Sequence, residues 1–304
     1  MRVLVTGANG YLGRAVVEAL HSVGHEPVAM IRAHGPAIPG AADVRVADLL
    51  DGKAIRDAVN GVDAICHLAG LTRARESADD PLRYFRVNTT GTLSVLEAMV
   101  DAGIRGIVFA STGAIYGTPD VQPMTEDIGD APPHPYAGSK LAAELAIEAV
   151  AGSKELAAVI VRLSNIAGGA DGDSSRLIPR ALTAASEHSA LIVNGDGTAV
   201  RDYLHIMDAA RAFVACIEHL PPVGTATRYN IGSGRGTSVL DVVAAVERVT
   251  GRPVALEHRS AAVEPAVLIN DPTKAMAEIG WKPTHSDIDD IVRDESRASL
   301  VEES

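Results

Sequence analysis

The 304-residue sequence predicts an α/β fold, a doubly wound parallel sheet followed by a smaller C-terminal α/β domain. Three observations predict it. A short apolar run, Val3-Leu4-Val5, enters a glycine-rich turn and then a segment of helical period. Through the first half, further apolar runs of strand length alternate with helix-period segments, as crossover-connected parallel strands require. Near residue 165 the pattern breaks at the polar run Gly168-Gly169-Ala170-Asp171-Gly172-Asp173, which reads as a domain boundary or a substrate loop.

The elements follow in order. After the first strand and Thr6-Gly7-Ala8-Asn9-Gly10-Tyr11-Leu12-Gly13, apolar residues recur at Ala15, Val16, Ala19, Leu20 and Val23. Gly24 then offers a C-terminal cap. Residues 27–31, 44–47, 64–68, 107–110 and 158–163 read as buried strands, with helices at 53–59, 91–102 and 136–149. Beyond the polar run, helices are expected near 177–187, 209–218 and 238–249, the last opened by a Ser238/Asp241 capping pattern. The charged stretch 287–304 reads as a peripheral helix with a frayed tail. The chain carries no internal repeat and no low-complexity tract.

Two groups of residues carry chemistry. In the first turn, Gly7 permits the tight bend, Gly10 lets backbone approach a pyrophosphate, and Gly13 lets helix and strand pack closely. The helix that follows presents free amide hydrogens to an anion, so the unit reads as a Rossmann-type dinucleotide site. The second group is Tyr136 and Lys140, one helical turn apart on one face. A lysine ammonium there is expected to lower the phenol from its usual pKa of about 10, making Tyr136 a general acid/base. Thr112, arriving from another segment, would share the hydrogen bond to a substrate hydroxyl. Together they are equipment for moving a proton on and off a carbinol oxygen.

Composition narrows the partners. With 27 Lys and Arg against 39 Asp and Glu, the net charge of −12 argues against nucleic acid or an anionic membrane. Met1 leads straight into the first strand, so no signal peptide is expected, and the apolar runs are too interrupted to span a bilayer. Cys66 and Cys216 lie in apolar segments without metal-ligand spacing and read as buried free thiols. No metal site is expected, and the compartment is expected to be cytoplasmic.

With both groups in place, residues 1 to about 281 resemble the extended short-chain dehydrogenase/reductase family, in its nucleotide-sugar epimerase and dehydratase branch. Thr6 to Gly13 match its TGxxGxxG signature. Asp48-Leu49 resemble the pair that meets the adenine, His67-Leu68-Ala69-Gly70 the segment behind the pyrophosphate, and Asn88-Thr89-Thr90-Gly91-Thr92 the Asn-x-x-Gly-Thr helix. Thr112, Tyr136 and Lys140 fall on the catalytic residues. Arg162-Leu163-Ser164-Asn165 and the block from Gly195 to His205, with Arg201, resemble substrate-contacting motifs. The resemblance implies a cofactor set of Gly7, Asn9, Gly10, Tyr11, Leu12, Gly13, Arg32, Asp48, Leu49, Leu68, Ala69, Gly70, Asn88, Tyr136 and Lys140. It implies a substrate set of Thr112, Asn165, Arg176, Leu177 and Arg201. It also implies a cofactor domain at 1–164 and a substrate domain at 165–304, with about 203–230 returning to the first. Finally, it implies a homodimer through a four-helix bundle, to which Leu93 and Leu145 are among the apolar contributors.

Two departures keep alternatives open. Ile31 and Arg32 stand where members preferring NAD carry an acid for the adenosine ribose, and Arg32 suits the 2′-phosphate of NADP, whereas the epimerase resemblance implies NAD. Ala261-Ala262-Val263-Glu264 stand where a second phosphate-binding Arg is usual, with Arg259 two residues away, and Asn194 replaces an aromatic. A nucleotide sugar, its diphosphate held by Arg201 and Arg176, is the expected substrate. Gly113 and Ala114 follow Thr112 where dehydrating members carry Asp-Glu, and neither can transfer a proton. Epimerisation by reversible hydride transfer, probed against one-way ketone reduction with NADPH, is therefore the expected chemistry. A cofactor-sensing regulator would not need Thr112, Tyr136 and Lys140 together.

Overall fold

The computed structural model describes residues 1–154, 156–261 and 265–302. The chain begins β1 (Arg2–Thr6), α1 (Tyr11–Ser22), β2 (Glu26–Ile31), β3 (Asp43–Val46), α2 (Gly52–Ala58) and β4 (Ala64–His67). A short helix α3 (Pro81–Tyr84) then runs through a π-helical turn at Phe85–Thr90 into α4 (Gly91–Ala102), followed by β5 (Gly106–Thr112), α5 (Pro135–Lys154) and β6 (Ala157–Leu163). Next come β7 (Asn165–Ala167), α6 (Leu177–Glu187), β8 (Ala190–Asn194), β9 (Val200–Arg201), β10 (Tyr203–His205), α7 (Ile206–Glu218) and β11 (Thr225–Ile231). The chain closes with β12 (Thr237–Ser238), α8 (Val239–Thr250), β13 (Ala255–Arg259), β14 (Val267–Leu268), α9 (Thr273–Glu278) and α10 (Ile288–Glu302).

Seven strands form one parallel sheet in the order β11-β6-β5-β4-β1-β2-β3. Connections leave β1 to one side through β2 and β3 and then return to β4 on its other side, so the winding reverses between β1 and β4. Ligands of open α/β sheets bind beyond the strand carboxyl ends at such a point. Central strands β4 and β5 are buried along their whole length, whereas edge strand β3 alternates half-buried with exposed. Val16, Leu20 and Phe213, from α1 and α7, cover one face, while Val95, Met99 and Ile147, from α4 and α5, cover the other.

A third apolar cluster lies outside this sheet, where α6, α8 and α10 pack over β8. The Ser238/Asp241 capping box opens α8 as its sequence pattern predicts. Helix α10 departs from the peripheral helix expected of it. Its charges line one side, but Ile291 and Val292 are fully buried in this cluster and Glu295 is 2 % exposed. Two adjacent apolar residues and one inward acid gave too weak a period to mark a core helix. The expected tail end, 303–304, and Ala262, Val263 and Glu264 lie outside the described residues.

Candidate active site

The glycine turn follows from steric necessity. Gly7 holds φ +68°, and a Cβ there would meet the Ala69 backbone at 2.9 Å, so β1 and the segment after β4 approach as only glycine allows. A Cβ on Gly13 would lie 2.1 Å from the Gly7 carbonyl oxygen, which already accepts the Gly10 amide at 2.9 Å. Asn9 and Gly10 are exposed at the mouth of the turn, and Tyr11 and Leu12 begin α1 half-buried. The N-terminus of α1 thus faces outward with no side-chain cap. Around the same strand ends lie exposed Arg32 and Asp48, buried Leu49 against Gly91, and half-buried Leu68, Ala69 and Gly70. The geometry fits a dinucleotide: open amides at a helix N-terminus, with glycines where backbone must come close.

A buried polar chain ties this turn to α5. Thr6 Oγ1 accepts the amides of Leu68 and Ala69 at 3.1 and 3.0 Å, so its proton goes to His67 Nδ1 at 2.8 Å. Burial, followed by the charge of Lys140, pushes His67 down to about 3 and keeps it neutral. Its Nε2–H therefore donates to Thr92 Oγ1 at 3.0 Å, which donates to the Asn88 carbonyl at 2.6 Å. The Asn88 side chain accepts the Leu71 amide and donates to the Leu71 carbonyl and to Ser139 Oγ. Ser139 in turn donates to the Tyr136 carbonyl at 2.8 Å. Asn88 sits in the π-helical turn, where the widened backbone carries it out of the regular ladder.

Helix α5 starts with Pro135 at its first position, where a missing amide hydrogen costs nothing, and His134 Nδ1 accepts the Ala137 amide at 3.2 Å. The Tyr136 ring stacks on His134 at 5.8 Å and meets Tyr84 edge-on at 6.4 Å. Thr112, ending β5, hydrogen-bonds the Tyr136 side chain and caps the short turn after it. The structure therefore brings Thr112, Tyr136 and Lys140 together. One expectation fails. Burial raises the Tyr136 phenol to about 12, with Thr112 and the charge of Arg176 pulling the other way. Lys140 Nζ donates to the Ala110 carbonyl at 2.8 Å and lies 4.7 Å from the Phe109 ring centre.

On the far side, Tyr11 donates through its hydroxyl to the Gly168 carbonyl, and Glu295 accepts the Gly168 amide at 3.1 Å. The glycine turn is thus linked to the loop 168–173. Arg176 stands at the N-cap position of α6 beside Leu177 without capping it, donates to Asp171 and to the Ile166 carbonyl, both at 3.1 Å, and lies 5.6 Å from the Tyr11 ring centre. Asn165 is exposed at the start of β7. Arg201, half-buried in β9, donates to the Val200 carbonyl at 2.8 Å and is set in the β12-β9-β14 sheet. Arg259 is exposed on β13 beside Glu257, and its register partner is Asn194.

A model of the NAD dependent epimerase/dehydratase family matches residues 3–232. The chain belongs to that family. Among curated members, it is 36% identical to the UDP-glucose 4-epimerase of Corynebacterium glutamicum, over 97% of this chain and 94% of that one. It is likewise 36% identical to the UDP-glucose 4-epimerase of Azospirillum brasilense, over 96% and 90%. Among solved structures, the UDP-glucose-4-epimerase of Stenotrophomonas maltophila, with bound NAD and formylated UDP-arabinopyranose, superposes with a TM-score of 0.93 at 30% identity. That match covers 100% of this chain and 99% of the other. The Brucella ovis UDP-glucose 4-epimerase in complex with NAD gives 0.92 at 33% identity, covering 97% of each.

Within this family fold, sequence reasoning missed the residues that pack behind Tyr136 and Lys140. Tyr84 and His134 pack against the Tyr136 ring; His134 lies just before it in the sequence, whereas Tyr84 comes from distant α3 and gave no local signal. Glu144 and Arg162, both fully buried, pair through Nε at 3.1 Å and Nη2 at 2.6 Å. Arg162 also meets Asp130 at 2.7 Å and stacks on Tyr116 at 4.6 Å. The spacing Tyr136, Lys140, Glu144 puts all three on one helix face and was available to find the acid.

Proposed function

We propose that this family member is an NAD-dependent nucleotide-sugar epimerase that inverts a sugar carbinol, at carbon 4 of a UDP-hexose. The observation that carries the reading is the meeting of Thr112, Tyr136 and Lys140 beside the glycine turn, at the strand ends where the sheet reverses. The UDP-glucose 4-epimerases that match it almost end to end support the substrate and the cofactor.

A bound nicotinamide dinucleotide would supply reversible hydride acceptance at the sugar carbon. The chain's own residues do the rest. Gly7 to Gly13 and the amides of α1 hold the pyrophosphate, with Asp48, Leu49, Leu68, Ala69, Gly70 and Asn88 around the adenine and phosphates. Thr112 orients the substrate hydroxyl, and Tyr136 takes its proton and later gives it back. With its phenol raised by burial, Tyr136 needs nearby positive charge to act as a base, and Arg176 provides some of it. Lys140 holds the nicotinamide ribose. Asn165, Leu177, Arg176 and Arg201 hold the nucleotide diphosphate. We assign the cofactor to residues 1–164 and the substrate to 165–304, with 203–230 returning to the first domain; β11 pairs with β6 in the main sheet.

Reduction of a keto-sugar with NADPH is the second reading, favoured by exposed Arg32 at the end of β2. Epimerisation is tested by incubating the purified protein with UDP-glucose and following UDP-galactose without added cofactor. Tyr136→Phe should lower turnover by a hundredfold or more, on the order expected for a lost acid/base, with cofactor binding retained. Full activity in that variant would remove Tyr136 from the mechanism.

We place the enzyme in the cytoplasm as a homodimer joined through α4 and α5. Leu93 and Leu145 leave these helices 40% and 55% exposed, while Val95, Met99 and Ile147 on other faces are core residues. Leu145→Glu should give monomers in sedimentation; an unchanged species would move the interface elsewhere. Among the described residues, no helix is long and apolar enough to cross a membrane.

A further inference from the structure

Three consecutive residues at the end of β5 grip three residues spaced by four on α5. The Ala110 carbonyl accepts Lys140 Nζ at 2.8 Å, the Ser111 hydroxyl donates to Glu144, and the Thr112 hydroxyl bonds the Tyr136 side chain. The middle contact is different in kind, because it buries a carboxylate. Glu144 has no exposed surface, and neither has Arg162, which clamps it through two nitrogens from β6. Replacing such a pair with well-packed apolar residues is often neutral or stabilising, so packing alone does not call for it. The proposed acid/base pair sits one and two turns away on the same helix face.

We propose that Glu144 is a positioning residue for the Tyr136–Lys140 pair, holding their helix in register on β5 through Ser111 and Arg162 and serving as the buried counter-charge of Lys140. Burial drives Lys140 down to about 8, and Glu144 is the charge that opposes this. The other groups around Lys140 are uncharged: neutral His67 on β4, the Phe109 ring on β5 and the Asn88 side chain near Gly70. Around Glu144 stand Ser111 from β5, Arg162 from β6 and Arg228 from β11 at 3.6 Å. Arg228 is itself drawn to Glu148 at 2.6 Å, and Arg162 to Asp130. Glu144 is thus met by one hydroxyl and two guanidinium groups.

The sign follows. Removing the carboxylate charge stabilises neutral Lys140, its pKa falls, and function that needs the ammonium is lost at lower pH than in the unaltered protein. An opposite charge one helical turn away is expected to move a pKa by about one unit. The proposal rests on the epimerase reading only for its kinetic arm.

The test therefore has two arms, with Glu144→Gln and the paired Glu144→Gln/Arg162→Met, which leaves no unpaired buried cation if the single variant folds poorly. In the first arm, Lys140 is titrated by the ¹³Cε shift in lysine-labelled protein, assigned by its loss in Lys140→Arg. In the second, the pH dependence of UDP-hexose epimerisation is recorded. Expected are a Lys140 midpoint, and an alkaline limb of kcat, lower by about one pH unit, with KM for the nucleotide sugar nearly unchanged. Folded variants with an unaltered Lys140 titration would reduce Glu144–Arg162 to a core ion pair and overturn the proposal. If the unaltered protein epimerises no UDP-hexose, the functional reading fails, and the titration arm still decides the role of Glu144.

Discussion

Gly13→Ala offers the sharpest test of the cofactor turn, since the structure sets its cost. The added Cβ would lie 2.1 Å from the Gly7 carbonyl oxygen, 2.8 Å from Ala8 Cα and 2.9 Å from the Gly7 carbonyl carbon. Ordinary contact begins at 3.4 Å, so the oxygen must retreat by more than about 1 Å. It cannot do so freely, because it accepts the Gly10 amide at 2.9 Å and belongs to a residue at φ +68° packed on Ala69. All three obstructing atoms are backbone, so no rotamer change relieves them. Overpacking costs about 1–3 kcal/mol where side chains yield, and a rigid turn places this case at about 3 kcal/mol or above. At about 2–4 °C per kcal/mol, the melting temperature should fall by about 6–12 °C. Affinity for NAD should fall with it, since the displaced amides are those proposed to receive the pyrophosphate. Gly52→Ala is the control: its Cβ would meet only the Arg56 side-chain tip at 3.7 Å, and an alanine at a helix start should be neutral or stabilising by up to about 1 kcal/mol. Circular-dichroism melts and calorimetric NAD titrations read both variants. A Gly13→Ala protein with unaltered melting temperature and NAD affinity would refute the close-packing argument and with it the assigned turn.

The remaining predictions concern ligand choice. Arg201→Lys should raise KM for the nucleotide sugar while leaving cofactor affinity unchanged, because an ammonium cannot copy a two-pronged guanidinium contact to phosphate; equal KM in steady-state assays would exclude Arg201 from the diphosphate site. Arg32→Ala should weaken NADP binding by one to two decades, roughly the 1.5–3 kcal/mol of a charge-assisted hydrogen bond, and leave NAD nearly unchanged. Equal losses for the two cofactors in fluorescence titrations would mean that Arg32 only stacks on the adenine.

Much of this architecture was legible because local rules and the global fold agree. The strand at 107–110, the helix at 91–102 and the glycine turn each combine period, composition and cap signals, and each is found where those signals fall. The proposed catalytic trio was legible for a related reason: a four-residue spacing on a helix converts directly to a shared face. What escaped was non-local. No periodicity announces that Asp202 receives the Ser233 amide and hydroxyl and the Asn270 amide, since those residues lie far along the chain. Likewise, a tyrosine–lysine spacing shows proximity but not aim. Lys140 lies one turn from Tyr136 and gives one of its three N–H donors to the Ala110 carbonyl, a contact set by where β5 runs beneath the helix. Helix α10 shows the same limit, for its core role depends on α8, which it meets only in the folded protein.

The polar chain through His67 explains why so many hydrogen-bonding side chains sit at buried strand ends. Thr6, His67, Thr92, Asn88 and Ser139 form a directed series in which every proton has one place to go. A protonated His67 would need a second acceptor, and Thr6 Oγ1 has none to give, because both its lone pairs hold backbone amides. The neutral imidazole is therefore a geometric requirement as well as a consequence of burial. At one end the series fixes the backbone that packs against Gly7, and at the other it fixes the carbonyl of Tyr136. The glycine turn and the proposed acid/base are thus referred to a common frame across four elements of the sheet and its helices. Reversible hydride transfer needs that relation held on both passes, because the carbon must present two opposite faces to one fixed ring.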